Sequence, residues 1–203
     1  MNTTPLAERL RPQNIDDLVG QGHLLGTGGV LTGHIQRDHI PSMILWGPPG
    51  TGKTSIAQII AQTTKRSFFA LSAIHSGVKE VREVIDRAQK SPGLFTAKNP
   101  ILFIDEIHRF SKSQQDSLLQ AVEKGTVTLI GATTENPSFE VNSALLSRCQ
   151  VYVLETLGVA DLDALVERAL TKDDWLNSQQ VVIKEKKTLY RASSGDGRKL
   201  LNL

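Results

Sequence analysis

The stretch GPPGTGKTS, residues 47 to 55, restricts the fold of this chain more than any other. It lies between an apolar run, SMILW at 42–46, and a helical pattern, SIAQIIAQ at 55–62, in which Ile56, Ile59 and Ile60 share one face. It fits G-x-x-x-x-G-K-[ST], with Gly47, Gly52, Lys53 and Thr54 at the fixed positions and a strand-then-helix context. A triphosphate is a dense negative charge that must be held without steric crowding. Glycines at 47, 50 and 52 let the backbone curl so that successive N–H groups point inward as an anion nest. The helix that follows adds the partial positive charge of its N-terminus. Lys53 can reach the β- and γ-phosphates, and the Thr54 hydroxyl can ligate Mg²⁺. Pro48, Pro49, Gly50, Thr51 and Ser55 complete the candidate cradle. A chance Gly-rich turn is the competing reading, and the flanking strand and helix weigh against it.

Strands and helices alternate after this loop. SFFALS (67–72) reads as a strand, and VKEVREVIDRAQ (78–89) as a helix with Val78, Val81, Ile85 and Ala88 on one stripe. ILFID (101–105), VTLIGATT (127–134) and VYVL (151–154) are continuous apolar runs of the kind buried on both sheet faces. SQQDSLLQAVEKG (113–125) is a helix with a glycine stop. Five strands alternating with helices predict an α/β fold with a mostly parallel five-stranded sheet covered on both sides. The first 40 residues read as polar and turn-rich, with GTGG at 26–29.

The pattern changes near residue 155. DLDALVERAL (161–170) reads as an amphipathic helix capped by Asp161, KEKKTLYRAS (184–193) as a second helix and DGRKLLNL (196–203) as the start of a third, with QVVI the one weak strand signal. The expected division is a nucleotide-binding core over 1–154 and a helical lid over 155–203, incomplete at its C-terminal end. Lys184, Lys186 and Lys187 read as a solvated helix face.

A phosphate loop alone does not make a hydrolase. Its partner is ILFIDEIH (101–108), in which Asp105 ends an apolar strand, where a parallel sheet opens its ligand crevice. Asp105 can hold Mg²⁺ through water, and the adjacent Glu106 can orient and activate an attacking water. Thr134, at the end of LIGATT, can hydrogen-bond that water or the γ-phosphate, or cap the turn that Asn136-Pro137 signals. Arg148 and Arg198 are candidate phosphate cations, and on residue type alone each is more often a solvated or salt-bridged surface arginine.

Composition narrows the class. The chain has 203 residues, 39% hydrophobic and 22% charged, with a net charge of +2, so bulk charge does not announce a nucleic-acid partner. The single Cys149 rules out an intrachain disulfide framework and fits a reducing cytoplasm. The N-terminus lacks the apolar core of a signal peptide, and no apolar run approaches the roughly 18 residues of a membrane span. No basic surface interleaved with aromatics marks a single-strand channel.

GPPGTGKT, LFIDEIHRF, GATTENPSF, LLSRC and GDGRKLLN occur in the order found in AAA+ ATPases of the clamp-loader-like clade. LAERLRPQNIDDLVGQGHLLG (6–26), SGVKEVREVI (76–85), DEIHRFSKSQQDSLL (105–119) and GATTENPSFEVNSALLSRC (131–149) narrow the resemblance to the replication-associated recombination protein A family. Between 171 and 194 the match is poor. The resemblance implies a P-loop ATPase core that takes ATP or ADP with Mg²⁺. It implies that RPQNIDDLVGQ wraps the adenine, with Val19 and Gly20 near the base. It also implies that Thr134 is the sensor-1 residue, Arg148 an arginine finger for a neighbouring subunit's nucleotide, and Arg198 the sensor-2 residue of the lid. His108 makes the second Walker motif a DExH form, with its role open. The family is longer, homotetrameric through a C-terminal region, and cytoplasmic on the nucleoid. It works at stalled replication forks, on forked, gapped or end-containing DNA, with single-strand-binding protein as a partner. A clamp-loader subunit, a Holliday-junction motor and an ATP-gated assembly module with little turnover remain open alternatives.

Overall fold

The structure is a computed structural model of the chain and describes residues 4–90 and 98–203. Five strands form one sheet: β1 (Met43–Trp46), β2 (Phe68–Ser72), β3 (Ile101–Asp105), β4 (Thr128–Thr133) and β5 (Gln150–Val153). Their order is β2-β3-β4-β1-β5 and every pair is parallel. Parallel pairing needs a crossover after each strand, so all the carboxyl ends lie at one edge of the sheet. The loops leaving β1, β3 and β4 open there.

Alternation along the strands feeds two apolar layers. Met43 and Leu45 of β1, Ile101 and Phe103 of β3, and Ile130 and Ala132 of β4 point into one. Ile44, Leu102, Ile104 and Leu129 point into the other. The three central strands are buried along almost their whole length, as their continuous apolar runs predict. Ile56 and Ile60 of helix α4 (Lys53–Thr63) pack on the first layer. Val81 and Ile85 of α5 (Val78–Lys90) and Leu118 of α6 (Lys112–Glu123) pack on the second. Ser111 and Gln114 start α6 with a reciprocal capping box.

Several expectations change. Strand β5 is an edge strand, not one buried on both faces. Only Tyr152 turns inward, while Val151 and Val153 are 41% and 49% exposed. The N-terminal region is not mainly turn. It contains α1 (Leu6–Arg9), a 3-10 turn at Ile15–Asp17, α2 (Gly22–Leu25) and α3 (Val30–Gln36), and Leu24, Leu25, Leu31 and Ile35 are part of the first core layer. Helices α1 and α2 span about one turn each, and α3 shows its period only as the Leu31–Ile35 pair. Two short helices, α7 (Pro137–Glu140) and α8 (Ser143–Leu146), precede β5.

Four helices follow β5: α9 (Val159–Lys172), α10 (Asp174–Ser178), α11 (Lys186–Ser193) and α12 (Gly197–Leu201); α9, α11 and α12 enclose a third cluster of Leu157, Leu162, Val166 and Leu200. The N-cap of α9 is Gly158 rather than Asp161; Asp161 sits three residues on and accepts the Gly158 N–H at 2.9 Å. QVVI is not a strand. Lys186 is not simply solvated, since its ammonium bonds Asp163 at 2.7 Å and Glu167, tying α11 to α9. Lys184 and Lys187 are exposed.

Candidate active site

Strand β1 delivers the phosphate loop. The Gly47 N–H donates to Thr133 O at 3.1 Å, extending the β1–β4 ladder by one bond. A Cβ at Gly47 would stand 2.4 Å from Leu154 O, so only glycine allows the chains to approach this closely. Gly50 and Gly52 take φ of +70° and +98°, in the left-handed region that glycine enters without strain. Gly52 begins α4 with no side-chain cap. The unpaired N–H groups of that first turn therefore face the loop.

Lys53 is 7% exposed, and its ammonium donates to Gly47 O at 2.7 Å and Pro48 O at 2.8 Å. Burial lowers its pKa, while Glu106 and then Asp105 oppose the shift by favouring the charged form. The loop thus holds a cation beside two carboxylates. Thr51, also buried, donates its hydroxyl to Pro48 O at 2.9 Å and braces the turn.

Strand β3 ends at the half-buried Asp105. Glu106 follows in a left-handed conformation, φ 55° and ψ 47°, ahead of a 3-10 turn at Ile107–Arg109. Such a conformation costs a non-glycine residue on the order of 1–3 kcal/mol and persists where surrounding contacts enforce it. Here the fully buried Ile107 anchors the turn. The Glu106 Oε2 accepts the Thr134 hydroxyl at 3.3 Å and lies 3.3 Å from His108 Nδ1.

These groups border a cleft of about 330 Å³. Of the residues singled out from the sequence, Val19, Pro49, Gly50, Thr51, Gly52, Lys53, Thr54, Ser55, Asp105, Glu106 and Arg198 line it. Gly47 and Pro48 lie behind it, where their carbonyls hold Lys53. Gly20 packs against the lid instead; a Cβ there would stand 2.6 Å from Leu157 Cδ2. Thr134 stands behind Glu106. Arg148 is outside the cleft, at the end of α8, with its side chain 39% exposed, paired with Glu123 at 2.5 Å and donating to Ala144 O at 2.6 Å.

Sequence reasoning missed much of the rest of the wall. Pro5, Ala7, Glu8 and Leu10 contribute from the N-terminal segment, Leu157 from the link between β5 and α9, and Leu165, Leu201 and Asn202 from α9 and the end of α12. Their types, mostly apolar, carry no motif, and tertiary packing alone brings them together. Gln21 was missed too. Its buried amide donates to Glu155 O at 2.7 Å and accepts the Glu155 N–H at 3.0 Å, fixing the start of the lid segment. Helix α12 also touches the phosphate loop directly, through Gly197 N–H to Gly50 O at 3.3 Å.

Residues 43–157 match the model of the ATPase family associated with various cellular activities, AAA. The chain belongs to the AAA family. Over 201 residues it is 47% identical to the replication-associated recombination protein A of Escherichia coli strain K12, covering 98% of this chain and 44% of that protein. It is 49% identical to the protein of the same name from Coxiella burnetii, over 98% of this chain and 45% of that one. The chain thus spans less than half the length of these relatives, and its sequence places it in their branch of the AAA ATPases. Among solved structures, the Thermotoga maritima RuvB Holliday junction branch migration motor superposes with a TM-score of 0.75 at 27% identity, covering 95% of this chain and 63% of that one.

Proposed function

We propose that this chain binds ATP with Mg²⁺ in the cleft and hydrolyses it, and that the protein uses the cycle on DNA during replication-associated recombination. The observation that carries the reading is the meeting of Lys53, Asp105 and Glu106 at one cleft bordered by the left-handed Gly50 and Gly52. Lys53 and the start of α4 supply positive charge for the phosphates. Water attacks the γ-phosphorus and gives its proton to Glu106, while the bond to the β-phosphate oxygen breaks to release ADP and phosphate. Arg198, on the cleft wall, is the lid's cation, and Val19 is a wall for the base.

The site suits Mg²⁺. Thr54 and Asp105 offer a hydroxyl and a carboxylate, both hard oxygens, at the cleft wall. Among the described residues no cluster of three or more His, Cys, Asp or Glu could hold a metal. That sparse set fits an ion bound by one or two protein oxygens plus phosphate and water. When bound, the ion neutralises charge on the phosphates.

The division into a core over 1–154 and a lid over 155–203 is part of this reading, supported by the separate apolar cluster that α9, α11 and α12 share. A homo-oligomer, tetrameric in the whole protein, acting on forked, gapped or end-containing DNA with single-strand-binding protein, is the assembly we assign. The relatives' names support the link to replication and recombination, and the RuvB title supports work on DNA. A cytoplasmic, nucleoid-associated place goes with that role, and among the described residues no helix is long and apolar enough to cross a membrane. The RuvB likeness favours a second reading, a branch-migration motor. Stimulation of ATPase by four-way junctions over forks would select it.

Calorimetry with ATP and Mg²⁺ tests the site. Lys53→Ala is expected to weaken binding roughly ten- to a hundredfold, the worth of hydrogen bonds to a charged group. Equal affinity in both proteins would sink the assignment. Glu106→Gln is expected to keep binding and lose turnover by roughly a hundredfold or more.

A further inference from the structure

The contacts around His108 give that residue a function in the hydrolysis proposed above, on which this inference rests. His108 Nδ1 lies 2.9 Å from Thr133 Oγ1 and 3.3 Å from Glu106 Oε2. A carboxylate oxygen can only accept. An unprotonated Nδ1 would aim its lone pair at that oxygen, so the contact calls for Nδ1–H. Thr133 agrees independently. Its hydroxyl is within 3.1 Å of the Glu135 carbonyl, to which it donates, and it accepts the Glu135 N–H at 3.0 Å. With that proton given to Glu135, Oγ1 is free to accept from His108.

Both groups that face Glu106 stand at the same oxygen. Thr134 Oγ1–H donates to Oε2, and His108 Nδ1–H, whose nearer acceptor is Thr133 Oγ1 at 2.9 Å, has Oε2 beside it as a second acceptor at 3.3 Å. No side chain or backbone group donates to Oε1 among the hydrogen bonds of the described residues. The imidazole is 11% exposed and the Glu106 side chain 26% exposed, so the ring is the more fixed partner. We infer that His108 is a positioning residue: it pins Glu106 by Oε2 so that Oε1 stays free to take the proton of the attacking water. Thr133, fully buried at the end of β4, fixes the ring in turn.

The test compares His108→Asn with His108→Leu in the full-length protein. The two substituents are close in shape, but only Asn offers an N–H where Nδ1–H stands. His108→Leu is expected to lower kcat about ten- to a hundredfold, with KM and ATP affinity unchanged, since only a step after binding loses its positioning. His108→Asn is expected to recover most of that loss. In a Glu106→Gln background, His108→Leu is expected to have no further effect on the residual rate. A raised KM at unchanged kcat, equal rates in the Asn and Leu variants, or an undiminished effect without Glu106 would each overturn the inference. Nitrogen-15 shifts of the His108 ring in the unmutated protein give a readout independent of folding of the variants and of activity: Nδ1–H is expected, and an Nε2–H tautomer would overturn it. If Glu106→Gln alone turned over ATP at the normal rate while the ring showed Nδ1–H, the hydrolytic reading would fail and the contact would stand.

Discussion

Gly50 shows how little freedom the site leaves a single residue. Its φ is +70°, and a Cβ added there would lie 1.8 Å from Asp196 Oδ1. That oxygen is already engaged, accepting the Lys199 N–H at 2.9 Å as the cap of α12. An alanine at 50 therefore meets backbone strain and a steric clash together, and the near side of the clash is the lid. Gly50→Ala is expected to destabilise the chain by about 1–3 kcal/mol from the backbone conformation alone, and to weaken ATP binding by displacing α12 and Arg198 from the cleft. Urea unfolding and titration with a fluorescent ATP analogue read the two effects separately. Wild-type affinity in that variant would show that contact between lid and loop is not needed for binding. Core positions away from the cleft behave differently. Ile104, fully buried in β3, is expected to cost about 2–5 kcal/mol on substitution by alanine. Chemical denaturation measures that loss, and a cost under about 1 kcal/mol would show that the layer can collapse around the gap.

The N-terminal segment and the helices after β5 form a linked pair of elements. Arg9 grips Asp173 through two bonds of 2.7 and 2.9 Å, and Asp17 pairs with Lys172 at 2.8 Å and Arg168 at 3.4 Å. These contacts join the N-terminal wall of the cleft to α9 and its C-terminal end, so the two walls are mechanically connected. The Arg9 guanidinium holds the Asp173 carboxyl below the usual aspartate range, and Lys172 does the same to Asp17. A depressed folded-state value contributes stability above the ordinary aspartate range, and that contribution is lost as pH falls through the folded value. The gap in urea midpoint between wild type and Arg9→Ala is therefore expected to be full at neutral pH and to close in strong acid. A gap independent of pH would rule out the ion pair as its source. Neither contact was legible in the sequence, because Arg9 and Asp173 are 164 residues apart and belong to no motif. Strands β1, β3 and β4 were legible, since central parallel strands need apolar side chains on both faces and so read as unbroken runs. The exposure of β5 was not, because edge position follows from strand order, a tertiary fact. The phosphate loop and the Asp105-Glu106 pair were legible because their geometry is local. The tie of His108 to Glu106 was not, as it depends on how the turn after β3 meets the end of β4.

At the scale of the whole molecule, Arg148 is the candidate residue that stands apart from the cleft and from the groups behind it. Arg148 stands outside, 39% exposed, and its partner Glu123 is 42% exposed. An ion pair between solvent-exposed side chains contributes about 0–1 kcal/mol. Glu123 can therefore be displaced at little cost by a denser negative charge, and the γ-phosphate in an adjoining subunit's cleft is one. An arginine delivered by a partner couples turnover to assembly and can raise the rate on the order of a thousandfold or more. The 203-residue chain is accordingly expected to bind ATP yet hydrolyse it slowly as a monomer. In the full-length protein, Arg148→Ala is expected to abolish turnover and leave nucleotide affinity intact. Mixing Arg148→Ala subunits with Glu106→Gln subunits then gives the decisive measurement. Neither variant turns over ATP alone, but a mixed interface can pair an intact Glu106 on one side with an intact Arg148 on the other, so partial ATPase activity is expected to return. A mixture that stays inactive after subunit exchange is demonstrated would remove the support for delivery in trans. Turnover at the wild-type rate in Arg148→Ala alone would leave Arg148 as a surface arginine held by Glu123.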